Sequence, residues 1–226
     1  NNAVYDAFVE PGGTVLGMAL SSGGHLTHGS PVNRSGKHYN IVSYGVTGEG
    51  QIDYDGMREL ALEHRPSLII AGFSAYPWDL DWPKLREIAD QCGAKLCADV
   101  AHTAGLIAGN VVSSPIGYAH VVNFTTHKTL CGPRGACILT TDREMARRVD
   151  SAVFPGEQGG PHINAVAAKA VAFKLAGSEQ FAALQRRVRE NAQALAEGFI
   201  EQEIPLAYGG TNTHMVLVDL RRLKPK

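Results

Sequence analysis

Residues 95–106 read KLCADVAHTAGL, and residues 120–130 read HVVNFTTHKTL. Each stretch is a short apolar run that ends in polar, chemically capable side chains: Asp99 and His102 in the first, His127 and Lys128 in the second. Apolar runs of this length, bounded by turn residues, read as buried strands. Residues 67–73 have the same character, and residues 14–20, 40–44 and 136–140 predict further strands. Between them lie amphipathic stretches. Residues 55–64 predict a helix ended by Pro66, and residues 82–92 a helix closed by Gly93. Apolar residues at 4, 7 and 8 start the chain as helix. Strand, helix, strand repeated in this way argues for an α/β fold: a largely parallel sheet with helices on both faces.

Residues 164–199 are helical in pattern and Ala-rich, with a break at Gly177-Ser178, and residues 213–220 predict one more strand after Gly209-Gly210. A domain change is expected between about 175 and 205, giving a large domain over 1–185 and the start of a smaller one over 186–226. The chain has 226 residues, 44% of them hydrophobic, enough for a substantial core. Lys+Arg 21 against Asp+Glu 22 leaves a net charge of −1 without blocks of like charge, so no nucleic-acid or membrane-surface partner is indicated. No apolar run is long enough to span a bilayer. Cys92, Cys97, Cys131 and Cys137 form no C-x-x-C pair, and the plain reading is a reducing, cytoplasmic setting. The chain opens without Met and stops just after an apolar stretch, and both ends read as cut from something longer.

In open parallel sheets ligands bind beyond the carboxyl ends of the strands. Four such ends carry polar residues here: 74–76, 99–102, 125–129 and the loop 23–29, GGHLTHG. Lys128, near Arg134 and partly desolvated, is expected to have a lowered pKa, and a neutral amine can form a Schiff base; the alternative is a solvated loop lysine. Asp99 follows an apolar run, where a carboxylate needs a positive partner. A protonated pyridine nitrogen would serve, as in pyridoxal-phosphate (PLP) enzymes; a helix N-cap is the competing role. His25 and His102 could stack on a flat cofactor or move protons, or be purely structural. With His28 they also raise a zinc hydrolase reading, but helical H-x-x-x-H spacing is absent. Residues 156–161, GEQGGP, precede a helix and suit a phosphate. Neither G-x-x-x-x-G-K-[ST] nor G-x-G-x-x-G is present.

Taken in order, these segments resemble serine hydroxymethyltransferase, a fold-type I PLP enzyme. They are GGHLTHGSPVN at 23–33, GFSAYP at 72–77, DVAHTAGL at 99–106, TTHKTL at 125–130, GPRG at 132–135, and SAVFPG through GGP at 151–161. The match is collinear over nearly all of the chain. It implies a three-layer α/β/α, aspartate aminotransferase-like large domain with a mainly parallel mixed sheet, plus the start of a smaller α+β domain. It also implies the catalytic set Lys128, Asp99, His25 and His102. Lys128 resembles the lysine that carries PLP, Asp99 the partner of the pyridine nitrogen, and His25 the ring stacked on the cofactor. Ser74 and His102 resemble partners of the phenolic oxygen and nearby groups, and His127 a residue beside the phosphate. Gly159 and Gly160 resemble a loop reaching the neighbouring subunit's phosphate, which implies a homodimer or homotetramer with a shared active site. Leu20, Gly24 and Leu26 fall where the family holds folate. Arg134 follows the lysine as in the family and is expected to help lower its pKa.

The resemblance also marks what lies outside residues 1–226. The family's Ser-Gly-Ser phosphate loop would fall just before Asn1, its catalytic glutamate and capping tyrosine further upstream, and its substrate-carboxylate arginine beyond Lys226. Cys131, Ala136 and Asn123-Phe124 depart from the family's pattern. The implied activity is reversible transfer of a one-carbon unit between serine and tetrahydrofolate, giving glycine. The alternatives are a folate-independent aldolase or transaldolase of β-hydroxy-amino acids on the same cofactor core, and a non-catalytic piece that folds or dimerises; without the substrate-carboxylate arginine, residues 1–226 in isolation are expected to be inactive or nearly so, even with PLP bound.

Overall fold

The computed structural model describes residues 1–223. Six strands form one sheet: β1 (Thr14–Met18), β2 (Asn40–Tyr44), β3 (Leu68–Gly72), β4 (Lys95–Asp99), β5 (Val121–Thr125) and β6 (Ala136–Leu139), in the spatial order β2-β1-β3-β4-β5-β6. The first five are parallel and β6 runs antiparallel to β5, so the sheet is mixed and mainly parallel. The register sets Gly72 beside Asp99 and Asp99 beside Asn123, so β3, β4 and β5 finish on one rim.

The helices are α1 (Asn2–Phe8), α2 (Arg34–His38), α3 (Tyr54–His64), α4 (Trp82–Cys92), α5 (Ala104–Ala108), α6 (Arg143–Ser151), α7 (Ile163–Ala176) and α8 (Glu179–Glu201). The period of two along a strand divides the core between the two faces of the sheet. Ile69, Ala71, Leu96 and Ala98 pack with Met57 of α3 and Leu85 and Ile88 of α4. Leu68, Ile70 and Cys97 pack on the other side with Val4, Tyr5 and Phe8 of α1 and Val149 of α6. With both faces covered, β3 is buried at every position, which is why its sequence is an unbroken apolar run.

Helix ends follow side-chain chemistry. Asp53, Asp81, Asp142 and Ser178 each accept a backbone N–H at the start of α3, α4, α6 and α8. Gly93 closes α4 in the left-handed region, and α3 ends at Arg65, before Pro66. The break at 177–178 separates α7 from α8 as expected.

Two strand expectations are corrected. The strand over 14–20 ends at Met18, because Ser22 and Gly24 donate to Ala19 O and coil Leu20–Ser22 into a 3-10 turn. Residues 213–220 form no strand: Val218 makes only an isolated bridge to Leu206, and Leu220–Arg222 is a 3-10 turn. That segment meets the short stretch 205–207 rather than a free sheet edge, bonding through Ala207 N to Leu217 O and Asp219 N to Pro205 O (both 2.8 Å). Position 185, the expected domain boundary, falls inside α8, where Gln185 is buried and its Nε2 donates to Thr129 O at 3.0 Å. Among the described residues, no helix is long and apolar enough to cross a membrane.

Candidate active site

Asp99 ends β4 with its carboxyl buried. Its Oδ2 accepts from His28 Nε2 (2.9 Å) and from Asn1 Nδ2 (2.7 Å), and its Oδ1 from the backbone N–H of Ala101 (3.3 Å). Burial alone would raise this carboxyl's pKa. The hydrogen bond and charge of His28, then the Asn1 amide, more than offset it and hold the group ionised, well below the usual carboxylate range. The shell continues outward: Asn1 Nδ2 donates to Thr27 Oγ1 (2.6 Å), Asn123 Nδ2 donates to Asn1 Oδ1, and Tyr5 OH donates to Thr27 O. Gly72 sits against this end of β4. A Cβ there would meet Asp99 O at 2.0 Å, so the close approach requires glycine.

Lys128 lies past the end of β5, half-buried. Its pKa is lowered by burial and raised in part by the nearby Asp99 carboxylate. The lowering agrees with expectation, but Arg134 is exposed and plays no part in it: desolvation does the work. Lys128 also acts electrostatically on His25 and His102, so Asp99, Lys128, His25 and His102 share one neighbourhood. Burial, followed by the charges of Lys128 and His214, takes His102 down to about 4. Burial also lowers His25, which caps a 3-10 turn: its Nδ1 accepts from Thr27 N (3.1 Å) and pairs with Thr27 Oγ1 (2.7 Å). Among the described residues no three His, Cys, Asp or Glu side chains assemble as metal ligands, and His28 is engaged by Asp99 instead.

Ser74 stands on the same rim. Its N–H donates to Gly23 O (2.8 Å), tying its loop to the Gly-rich loop, while its buried Oγ has no partner in the chain. Such an orphaned hydroxyl is a feature that a ligand oxygen or nitrogen would satisfy. A flat ring with a protonatable nitrogen and a phenolic oxygen fits this donor set: an ionised carboxylate, an amine with lowered pKa, two neutral imidazoles and a free hydroxyl. Leu20 (54% exposed) and Leu26 (45%) lie on either side of Gly24 in the chain and leave apolar surface exposed. Gly24 itself is required by packing, since a Cβ would meet Met18 O at 2.0 Å. His127 Nδ1 accepts from Gly135 N at 3.3 Å, beside Lys128 in sequence. Gly159 and Gly160 are exposed with open space around them.

Sequence reading did not single out two neighbours of this cluster as functional. His28 had only been weighed as a metal ligand, and it is the main support of Asp99 across 71 residues of chain. His214 stacks on His102, ring centroids 6.0 Å apart and 18° from parallel. The one sequence signal for His214 is the Gly209-Gly210 turn just before it. The family model described as serine hydroxymethyltransferase matches residues 1–225, and the chain belongs to that family.

Proposed function

We propose that this member of the serine hydroxymethyltransferase family transfers the hydroxymethyl carbon of serine to tetrahydrofolate, giving glycine and methylenetetrahydrofolate, with PLP as cofactor. Bound PLP supplies an electron sink for cleavage of the Cα–Cβ bond. The observation that carries this reading is the pairing of a buried, ionised Asp99 with a half-buried Lys128 whose pKa is lowered by desolvation.

In this reading Asp99 faces the ring nitrogen and keeps it protonated, stabilising charge where it develops. Lys128 holds the cofactor covalently, because desolvation raises the fraction of its amine that is neutral and nucleophilic. His25 stacks on the ring. Ser74 Oγ and the neutral His102 meet the phenolic oxygen, and His127 lies beside the phosphate. Leu20, Gly24 and Leu26 contact the folate, supported by the exposure of the Leu20 and Leu26 side chains. Gly159 and Gly160 serve the phosphate of a partner subunit in a homodimer. Exposed Ile163, Val166, Val171 and Leu175 along α7 support such an interface. Free thiols at Cys92, Cys97, Cys131 and Cys137 support a cytoplasmic setting.

Borohydride reduction in the presence of PLP, followed by peptide mapping, is expected to leave a phosphopyridoxyl group on Lys128. Glycine formation from serine is expected to depend on tetrahydrofolate. Equal rates with and without folate would replace the transferase by a folate-independent aldolase.

A further inference from the structure

The segment carrying His214 is bolted to the rim loop that follows β3. The carbonyl of Pro77 accepts from Thr211 Oγ1 (3.0 Å), Thr213 Oγ1 (3.1 Å) and Asn212 N (3.1 Å). Asn212 Oδ1 accepts from Asp79 N at 2.7 Å, and Trp78 Nε1 donates to Tyr208 O at 3.2 Å. Three donors on one carbonyl leave this segment little freedom, and both Thr211 and Thr213 are buried. The fixture holds the His214 ring offset and within 18° of parallel to the His102 ring, centroids 6.0 Å apart, with the His214 Nδ1 buried and unpartnered within the chain. A buried, unpaired ring nitrogen is costly, so the ring is held there by its surroundings rather than by a hydrogen bond of its own.

We propose that His214 is a positioning residue for His102: its ring backs the His102 ring, fixes its plane beside Lys128 and screens it from water. The inference rests on the reading that His102 contacts the cofactor. It adds a fixture from the far end of the chain that is built independently of β4 and β5. The groups acting on His102 are Lys128 beyond β5, His214, Asp99 at the end of β4, and His25 from the Gly-rich loop. Removing the His214 ring admits water to His102 and removes one neighbouring cation-capable group. Both changes make protonation of His102 easier.

The test compares the protein with His214→Ala and His214→Phe, first free of PLP, following the His102 ring by NMR titration. The unsubstituted protein is expected to titrate at His102 near pH 4. The Ala variant is expected to titrate at least about half a unit higher, and the Phe variant, which keeps the stack, by a smaller rise. If the Ala variant does not fold, His214→Asn, which keeps a polar group but loses the stack, is expected to show the same upward shift. With PLP and serine, kcat of the Ala variant is expected to fall about tenfold while KM for serine stays within about twofold. A folded Ala or Asn variant with an unmoved His102 titration overturns the inference. A full-length unsubstituted protein, carrying the segments on either side of residues 1–226, that forms no glycine from serine sinks the transferase reading alone, because the titration is measured without cofactor.

Discussion

The ends of β4 and β5 are neighbours in one sheet and carry opposite kinds of group. At the β4 end Asp99 is buried and held by His28, Asn1 and the Ala101 amide. At the β5 end Lys128 is half-buried, and what shapes its proton affinity is desolvation and the pull of Asp99. The first group has its charge locked by a shell of donors; the second is destabilised in its charged form. A locked anion suits a permanent electrostatic role, and an amine relieved by losing its proton suits covalent chemistry. Two groups of opposite sign are thus prepared in opposite ways at the ends of adjacent strands.

Substitutions at each end can break this contrast. Lys128→Ala is expected to abolish phosphopyridoxyl labelling and lower serine turnover by about a thousandfold or more, since it removes the amine that would hold the cofactor; single-turnover kinetics would measure it. His28→Ala unlocks the other end. It leaves a buried carboxylate short of its main donor and is expected to lower stability by about 2–3 kcal/mol in urea unfolding, with little effect on the folded shape. Ser74→Ala tests the unpartnered hydroxyl on the neighbouring loop that follows β3. PLP affinity is expected to weaken about five- to tenfold, while the melting temperature without cofactor holds or rises slightly, because the lost hydroxyl has no protein partner. A lowered melting temperature would assign that hydroxyl to the fold instead.

The smallest expected effect is on pH dependence. His102 falls from 6.5 to about 4 on folding, so between those values the unfolded chain binds more protons than the native one. Stability then rises as pH climbs from about 4 to 6.5. His102→Gln is expected to flatten that slope in denaturation curves taken across the window. Asp99, with its native pKa below the ordinary 3.8, contributes stability that is lost only as pH falls below that value.

Much of the scaffold was legible because it is written in local chemistry. Asp53, Asp81 and Ser178 begin helices, Gly93 ends one, and the unbroken apolar run of β3 signals burial on both faces. Asp99 and Lys128 were legible because each stands at or just past the end of an apolar strand. Residues 213–220 show where this reasoning stops. Their pattern is as strand-like as that of β2, but a strand also needs a free edge to pair with, and local pattern carries no information about edges. Arg134 misled for a related reason: adjacency in sequence suggested a charge effect on Lys128, while its side chain points into solvent.

By itself the sequence determined the α/β layering, most of the sheet strands and the identity of the carboxylate and the amine. These depend on hydrophobic period, turn residues and capping groups that act over a few positions. Only the tertiary structure decided how those groups are tuned: His28 on Asp99, His214 on His102, a stranded hydroxyl at Ser74, and burial setting the state of Lys128. Such tuning comes from hydrogen bonds and desolvation between segments far apart in the chain, and distance in sequence says nothing about distance in space.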